Sequence, residues 1–448
     1  MVRDIHPLVQ QYIRDVCARI KAVELHRDIR EELAGHVEEL ADEMMAHSPE
    51  IEREDALRKA VQHMGDPAEA GARLNRIHRP KTDWSLVMLL GLIIGFSLVL
   101  MYSADRSQMA LSHLYPFHLF EKKAIYWGLG LFMLLAIRWI DYRKLSRYSV
   151  PIFWGMIALM LVTCLTGLEV NGSRRYLDMF GLRLDIIALS PYVLIVALSG
   201  ILVRHGTSMA WWKLWISYVL PPFFITLLAP DFISNLMYVA VAYLLFARIY
   251  VSRAVRIGIP IVHMLGLLGS IFLLRDNSYL QMRWSSYVDP YADSQGAGYM
   301  IVQSLSIIRE AGWLGHGIGV QAASRLPGLH SDMLYPYLIA VFGWLGGIAV
   351  FLAAALLLQR IARAAKLVAD PYGQTILTGF GAWLGMKFAW SMAMTLGWVP
   401  LMTIQLPLLG FGGVNTVAEM AALGLMMSIY RRKDMIRSAP PVPRRASR

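Results

Sequence analysis

The chain has 448 residues, 56% of them hydrophobic and 17% charged, with 13 Trp, two Cys and a formal net charge of +11. A mean hydropathy of +0.46 excludes a soluble globule of ordinary make-up, and Cys17 and Cys164 alone exclude a disulfide framework. The basic excess lies between and after apolar runs, where the positive-inside rule places it, so the charge calls for no nucleic-acid partner.

Residues 1–80 read as a separate soluble helical domain on the cytoplasmic side. Leu25, Ile29, Leu33, Val37, Leu40 and Met44 recur at helical spacing among charged residues, one buried stripe of an amphipathic helix. Ser48-Pro49 then supplies an N-cap and a first-turn proline. Glu50, Glu52, Glu54 and Asp55 suit the positive helix start, and Gly65 is expected to stop this second helix. Asp66-Pro67 caps another. The first apolar run begins near Trp84, too late for a cleaved signal peptide, so the head is expected to stay attached.

From Trp84 the pattern predicts ten membrane spans, at about 84–102, 122–140, 150–168, 184–203, 211–229, 233–250, 257–274, 333–358, 374–395 and 406–430. The fold class is therefore all-α, a polytopic membrane domain over 84–432 with a basic tail at 433–448 that reads as disordered and attracted to anionic lipid. With both termini cytoplasmic, each short inside loop is basic: Arg143, Lys144 and Arg147; Arg204 and Lys213; Arg248, Arg253 and Arg256; Arg360, Arg363 and Lys366. Arg174 and Arg175 break the rule in an outer loop.

The segment from Arg275 to Asp332 is a long polar connection between two spans, and long ordered loops are usually functional. It gathers Asp276, Asp289, Asp293, Glu310, His316, His330 and Asp332 among glycines, prolines and tyrosines. Lys387 and Glu419 lie near the middles of the last two spans. An unpaired charge there costs several kcal/mol (about 3) on insertion scales, so an intramembrane pair is expected, either structural or part of a proton or substrate path.

Several stretches resemble one family. MYSAD at 101–105, IDYRKL at 140–145, NGSRRYL at 171–177, APD at 229–231, DPYADSQGAGYMIVQSL at 289–305, GWLGHGIG at 312–319, LPGLHSD at 326–332 and LPLLGFGG at 406–413 stand in the order of the SEDS family of membrane glycosyltransferases, which includes FtsW, RodA and SpoVE. Departures accompany the likeness. Asp185, Ile186, Ile187 and Ala188 replace a QPSE motif, Gly328 a glutamate, Gly410 a serine, and Ala340 and Val341 an acidic pair. Lys387 stands at a glutamine position. In the head, EELAGHVEELADEM and EDALRKAVQHMGDP resemble the small helical HAAS domain of some bacterial regulators.

The resemblance implies a peptidoglycan glycosyltransferase of the bacterial cytoplasmic membrane that polymerises lipid II at the outer face during division, elongation or sporulation, inverting the donor and releasing undecaprenyl diphosphate. A class B penicillin-binding protein is the implied partner. Asp293 aligns with the family's catalytic aspartate. A base is needed to take a proton from the attacking hydroxyl, and partial burial would raise a carboxylate towards operating pH; a loop aspartate capping the helix near Tyr299 is the bland alternative. Gly296 and Gly298 would let backbone approach a sugar or phosphate, with Tyr299 and Gln303 beside them on the same motif.

Arg174, Arg175 and Arg283 are candidates to hold diphosphate oxygens bidentately. For Arg174, binding a lipid headgroup is an equal reading, while Arg309 reads as a surface charge. His330 and Asp332 occupy the family's HTD position, where Asp332 also suits a helix N-cap, as Asp231 does before the sixth span. Magnesium or manganese could share the charge through Asp289, Asp293 or Asp332, although no spacing specifies a metal site. Two other accounts stay open: a flippase for lipid-linked precursor, and a non-catalytic regulatory homologue.

Overall fold

The computed structural model describes residues 6–21, 26–48, 50–77, 82–109, 118–170, 173–179, 182–206, 208–228, 231–250, 257–259, 261, 278–320 and 326–433. It divides into two compact units, Met1–Thr82 with Tyr430–Arg448, and Asp83–Ile429. The expected span 257–274 lies almost wholly outside the described residues, as do Asp276 and the tail beyond Lys433.

The first unit contains α1 (Pro7–Ala18), α2 (His26–His47), α3 (Arg53–His63) and α4 (Pro67–Ile77). Val9, Ile13 and Val16 of α1 meet Val37 and Ala41 of α2 and Ala56 and Ala60 of α3 in one core. Helix α3 starts at Arg53, after N-cap Glu52, rather than at Pro49. The chain turns first, Ile51 N donating to Ser48 O at 3.1 Å, so Glu54 and Asp55 form the acidic first turn. Gly65, at φ +78°, makes the left-handed exit.

The second unit is helical from α5 (Trp84–Met109) through α6 (Leu119–Trp139), α7 (Arg143–Arg147), α8 (Ser149–Thr166), α9 (Ile186–His205), α10 (Trp211–Tyr218), α11 (Leu220–Leu228), α12 (Phe232–Ile249), α13 (Ser278–Val288), α14 (Tyr299–Glu310), α15 (Leu334–Leu367) and α16 (Pro371–Thr395) to α17 (Gly413–Arg431). Among the described residues four helices, starting at Trp84, Ser149, Ile186 and Leu334, are by themselves long and apolar enough to cross a bilayer. Other expected spans are interrupted. The run 211–229 breaks at Val219 into α10 and α11. The last helix begins at Gly413, because 406–412 forms an irregular segment with Leu408 at φ +65°.

The largest departure from the expected 333–358 span lies in α15. It runs 34 residues to Leu367 and is broken at Gly343, with φ +69° and ψ −171°. A break leaves backbone groups without intrahelical partners, which inside a membrane protein must be paired by other protein groups. The glycine-rich 312–317 segment supplies them: His316 N and Gly317 N donate to Ala340 O and Val341 O at 2.8 and 3.0 Å, and Trp344 N and Leu345 N donate to Gly312 O and Trp313 O at 3.0 and 3.2 Å. The GWLGHGIG motif is thus backbone complementing a broken helix. A Cβ at Gly315 or Gly343 would strike the opposing main chain.

One feature lies outside the all-helical expectation. A small antiparallel sheet, β1 (Leu168–Val170), β2 (Ser173–Met179) and β3 (Leu182–Asp185), joins α8 to α9 in the order β1-β2-β3. Strand alternation sends Arg174 and Arg175 to opposite faces, and this positions the site.

Candidate functional site

Arg174, paired across the sheet with Glu169, is exposed, its Nε 3.4 Å from Glu169 Oε2. Arg175 faces the bundle instead. Its Nε donates to Asp185 Oδ2 at 2.8 Å and its second guanidinium nitrogen lies 3.3 Å from Asp231 Oδ2, with all three side chains largely buried. Each aspartate also caps a helix. Asp185 Oδ1 accepts from Ala188 N at 3.0 Å at the start of α9, and Asp231 Oδ1 from Ser234 N at 3.3 Å at the start of α12. One guanidinium therefore ties the small sheet to the ends of two helices. Asp185 stands within the departed QPSE stretch, so the departure installs the carboxylate that Arg175 binds.

A narrow cavity opens beside this cluster, lined by Arg175 and Asp185 together with Trp383 and Lys387 of α16, Gln405 and Asn415. About 70 Å³ of it is accessible to water centres, room for a few waters rather than a saccharide. Asp332 belongs to the same electrostatic group. Burial raises its carboxyl to about 6, partly offset by the guanidiniums of Arg283 and then Arg175. Burial likewise raises Asp185, against the pull of Arg175. His330, half-buried, is pushed below its usual value by desolvation, with Asp105 acting against the shift. The His330 carbonyl accepts from Phe411 N at 2.7 Å, and the two rings meet edge to face at 5.7 Å.

Deeper in the bundle Lys387 Nζ lies 2.7 Å from Glu419 Oε1, and Tyr192 OH contacts both at 3.2 and 3.3 Å. Glu419 Oε2 accepts from Leu408 N at 2.6 Å. A second buried cation, Lys123 of α6, donates to Gly410 O at 2.6 Å and Thr416 Oγ1 at 2.8 Å. These charges pin the irregular 406–412 segment, whose backbone has no helix to satisfy it. Lys123 sits at the edge of the expected span 122–140, a position at which sequence alone does not distinguish a buried cation from an interfacial one.

Asp293 is placed elsewhere. Its carboxylate is exposed, and its oxygens accept from Gly296 N at 3.0 Å and Ala297 N at 2.8 Å, closing the turn that leads into α14. The partial burial expected of it is not seen. Asp289 does the same for Tyr291 N and Ala292 N, both at 3.1 Å.

The two glycines of this motif also serve the turn. A Cβ at Gly296 would collide with the Asp293 carboxylate and one at Gly298 with the Pro290 carbonyl, so this turn itself requires both glycines. Tyr299 and Gln303 are half-buried on α14, Arg283 half-buried on α13, and Arg309 exposed. Among the described residues no three His, Cys, Asp or Glu side chains converge in a way that would hold a metal ion. The structure brings together Arg175, Arg283, Asp231, Asp332, Lys387 and Glu419, and leaves Arg174, Asp293, Gly296 and Gly298 outside that group.

Residues 83–435 match the FtsW/RodA/SpoVE family, described as cell cycle proteins. A "Probable peptidoglycan glycosyltransferase FtsW" of Nitrosococcus halophilus is 28% identical over 340 residues, covering 71% of this chain and 85% of the relative. One of the same name from Halorhodospira halophila is 28% identical over 376 residues, covering 80% and 93%. Among solved structures, a chain of a peptidoglycan synthase complex that coordinates polymerization and crosslinking superposes with a TM-score of 0.65 at 22% identity, over 79% of this chain and 98% of the other. The rod shape determining protein RodA of Thermus thermophilus gives 0.58 at 20% identity, over 79% and 97%. The head lies outside the matched residues. From Asp83 onward, this multi-pass membrane protein belongs to the FtsW/RodA/SpoVE family.

Proposed function

We propose that the protein is a peptidoglycan glycosyltransferase that polymerises lipid II at the outer face of the cytoplasmic membrane, with both termini inside. The observation that carries this reading is the enclosed Arg175 cluster: a fixed guanidinium, two helix-capping carboxylates and Asp332 held near pH 6, beside a cavity within the bundle. Joining two saccharides with loss of a diphosphate needs a proton acceptor for the attacking hydroxyl and cations for the departing charge. Arg175 and Arg283 supply the cations, and both act on Asp332. The relatives' name, peptidoglycan glycosyltransferase, gives the substrate class.

In this reading Asp293 is the base. Its two oxygens each accept one amide hydrogen bond, from Gly296 N and Ala297 N, which leaves lone pairs on an exposed carboxylate free to take a proton from an attacking hydroxyl. The partner is a class B penicillin-binding protein, as in a synthase complex that both polymerises and crosslinks. The test is polymer formation from lipid II by the purified protein with no other enzyme present. Wild type should make glycan chains, and Asp293→Asn, which keeps the shape and removes the proton acceptor, should make none while still binding lipid II.

The exposure of Asp293 favours one other reading, a regulatory homologue that binds precursor without polymerising it. Lipid II binding by wild type without polymer, together with full cellular function of Asp293→Ala, would select that reading. ATP-independent movement of lipid II across vesicles without polymer would select the flippase.

A further inference from the structure

Helix α2 carries its charge on one side. Ile29, Val37 and Ala41 face the core of the first unit, while Glu31, Glu32, Glu39, Asp42 and Glu43 stand exposed on the opposite side around an exposed Gly35. From Glu31 to His47 the helix has six carboxylates and no Lys or Arg. Arg27 pairs with Glu31 at 3.1 Å near the N-terminal end, so the middle of the stripe gets no permanent cation from its own helix. Carboxylates one turn apart, as Glu39 and Glu43 are, repel each other. The stripe therefore costs the head stability unless something basic lies along it.

The chain carries such a segment. Residues 434–448 hold Arg437, Arg444, Arg445 and Arg448 against Asp434 alone, a net side-chain charge of +3. Pro440, Pro441 and Pro443 disfavour a helix there. At about 3.3 Å per residue these 15 residues reach along the whole of α2, about 33 Å. The segment leaves α17 in the company of the head, because the chain from Tyr430 onward falls in the same compact unit as α1–α4 rather than with Asp83–Ile429. Arg432 at that junction is 1% exposed, and a guanidinium is buried only where opposite charge or acceptors meet it. The basic stretch is thus engaged with protein where it begins.

We infer that the acidic stripe of α2 is the docking surface for the basic segment 434–448 of the same chain. The two are opposite in sign, matched in reach and joined through one compact unit, and the tether spares them the cost of meeting as separate molecules. Exposed ion pairs are individually weak, so several act together and the contact is reversible. Salt loosens it. Anionic headgroups of the inner leaflet compete for the same arginines. The head is then a charge-matched holder that keeps the segment off the lipid, whatever reaction the membrane unit performs.

The test is photocrosslinking within the full-length protein, one copy per nanodisc. A benzoylphenylalanine replaces Gly35, where a side chain meets nothing within 4 Å and every carboxylate is kept, or, as control, Gln62, exposed on α3 near Arg58 and Lys59. Crosslinks to 434–448 are read by mass spectrometry. Yield from position 35 should exceed that from 62 about tenfold at low salt and fall several-fold at about 0.5 M salt. It should form in phosphatidylcholine discs and persist when phosphatidylglycerol is included. Equal yields from the two positions overturn the proposal, and so does loss of the crosslink on adding phosphatidylglycerol, which would give the segment to the membrane.

Arg437→Glu, Arg444→Glu, Arg445→Glu and Arg448→Glu together should lower the yield from position 35 about tenfold, and an unchanged yield overturns the charge argument. These substitutions lie outside α1–α17 and leave the helices intact. Adding Glu32→Lys, Glu39→Lys, Asp42→Lys and Glu43→Lys should restore the crosslink with both signs exchanged. A swapped protein that elutes monodisperse without regaining it overturns the choice of face; should the swap fail to fold, the reversal of 434–448 decides alone.

Discussion

Removing Lys387 should be far more damaging than removing Lys387 and Glu419 together. At 2.7 Å the two charges attract by a gross ~6 kcal/mol at an effective dielectric of about 20, most of it spent in taking both ions out of water. Lys387→Met deletes the attraction and leaves Glu419 buried and charged, which costs roughly 3–5 kcal/mol. Lys387→Met with Glu419→Gln removes both charges, and the glutamine oxygen can still accept from Leu408 N, so the loss should be about 1–2 kcal/mol.

The structure also sets the outcome of exchanging the charges. Lys387→Glu with Glu419→Lys restores an ion pair but puts an ammonium against Leu408 N, a donor facing a donor, so the exchange should rescue the single reversals only in part. Thermal unfolding midpoints of wild type, the single variants and the double variants in detergent, each checked for monodisperse elution, give the order directly. A double neutral variant as unstable as the sum of its singles would refute the argument, because it would show that the carboxylate and the ammonium do not depend on each other.

Asp332 is protonated in the fold at pH values where the unfolded chain has already ionised it. Stability from this group is therefore lost as pH rises from about 4 to about 6 and is flat above, amounting to at most about 3 kcal/mol. Asp332→Asn should thus gain on wild type over that window in a melting-temperature series, and a pH-independent difference would contradict it. Gly343→Ala forces a residue with a Cβ into a glycine-only backbone region, φ +69° with ψ −171°, costing about 1–3 kcal/mol, and sets that Cβ against the Trp313 carbonyl. It should speed hydrogen exchange at His316 and Gly317, whose amides pair with the broken turn; unchanged exchange would sink the pairing. Arg175→Ala leaves Asp185 and Asp231 without their cation and should cost roughly 3–5 kcal/mol, whereas Arg174→Ala, next in sequence but exposed beside Glu169, should cost under about 1 kcal/mol. Equal melting shifts for the two would remove the basis for separating them.

The helical membrane fold was legible because its signal is compositional. Apolar runs of spanning length and basic inside loops need no tertiary contact to be read. The family motifs were legible as well, in their order. Much of their geometry was not, since a glycine pattern says that backbone comes close without saying to what. GWLGHGIG serves the broken α15, and Gly298 serves the Pro290 carbonyl. Asp185 was read as a departure because its partner Arg175 lies across a hairpin whose strands are only 3, 7 and 4 residues long, too short for a periodicity signal. The exposure of Asp293 follows from a local competition: a carboxylate three residues before Gly296 finds two amides in its own turn, and nothing in the sequence weighs that against a place in the cavity.

Polar side chains in the membrane unit collect where helices end or break. Asp105 accepts from Leu119 N and Phe120 N and so caps α6; Asp185 and Asp231 cap α9 and α12; Lys123 and Glu419 hold 406–412. An uninterrupted helix satisfies its own backbone and needs none of them. The interruptions oblige the chain to carry buried charge, and the charge in turn creates the polar interior in which Asp332 is held near pH 6 and Arg175 is fixed. A buried cation that is removed should therefore disturb the non-helical segment it binds before it disturbs any helix. For Lys123→Met the first amides to exchange should be those of 408–412, ahead of those of α6 and α17, which keep their own backbone hydrogen bonds. Faster exchange along α6 with 408–412 unchanged would show that Lys123 supports the helix that carries it and not the segment it touches.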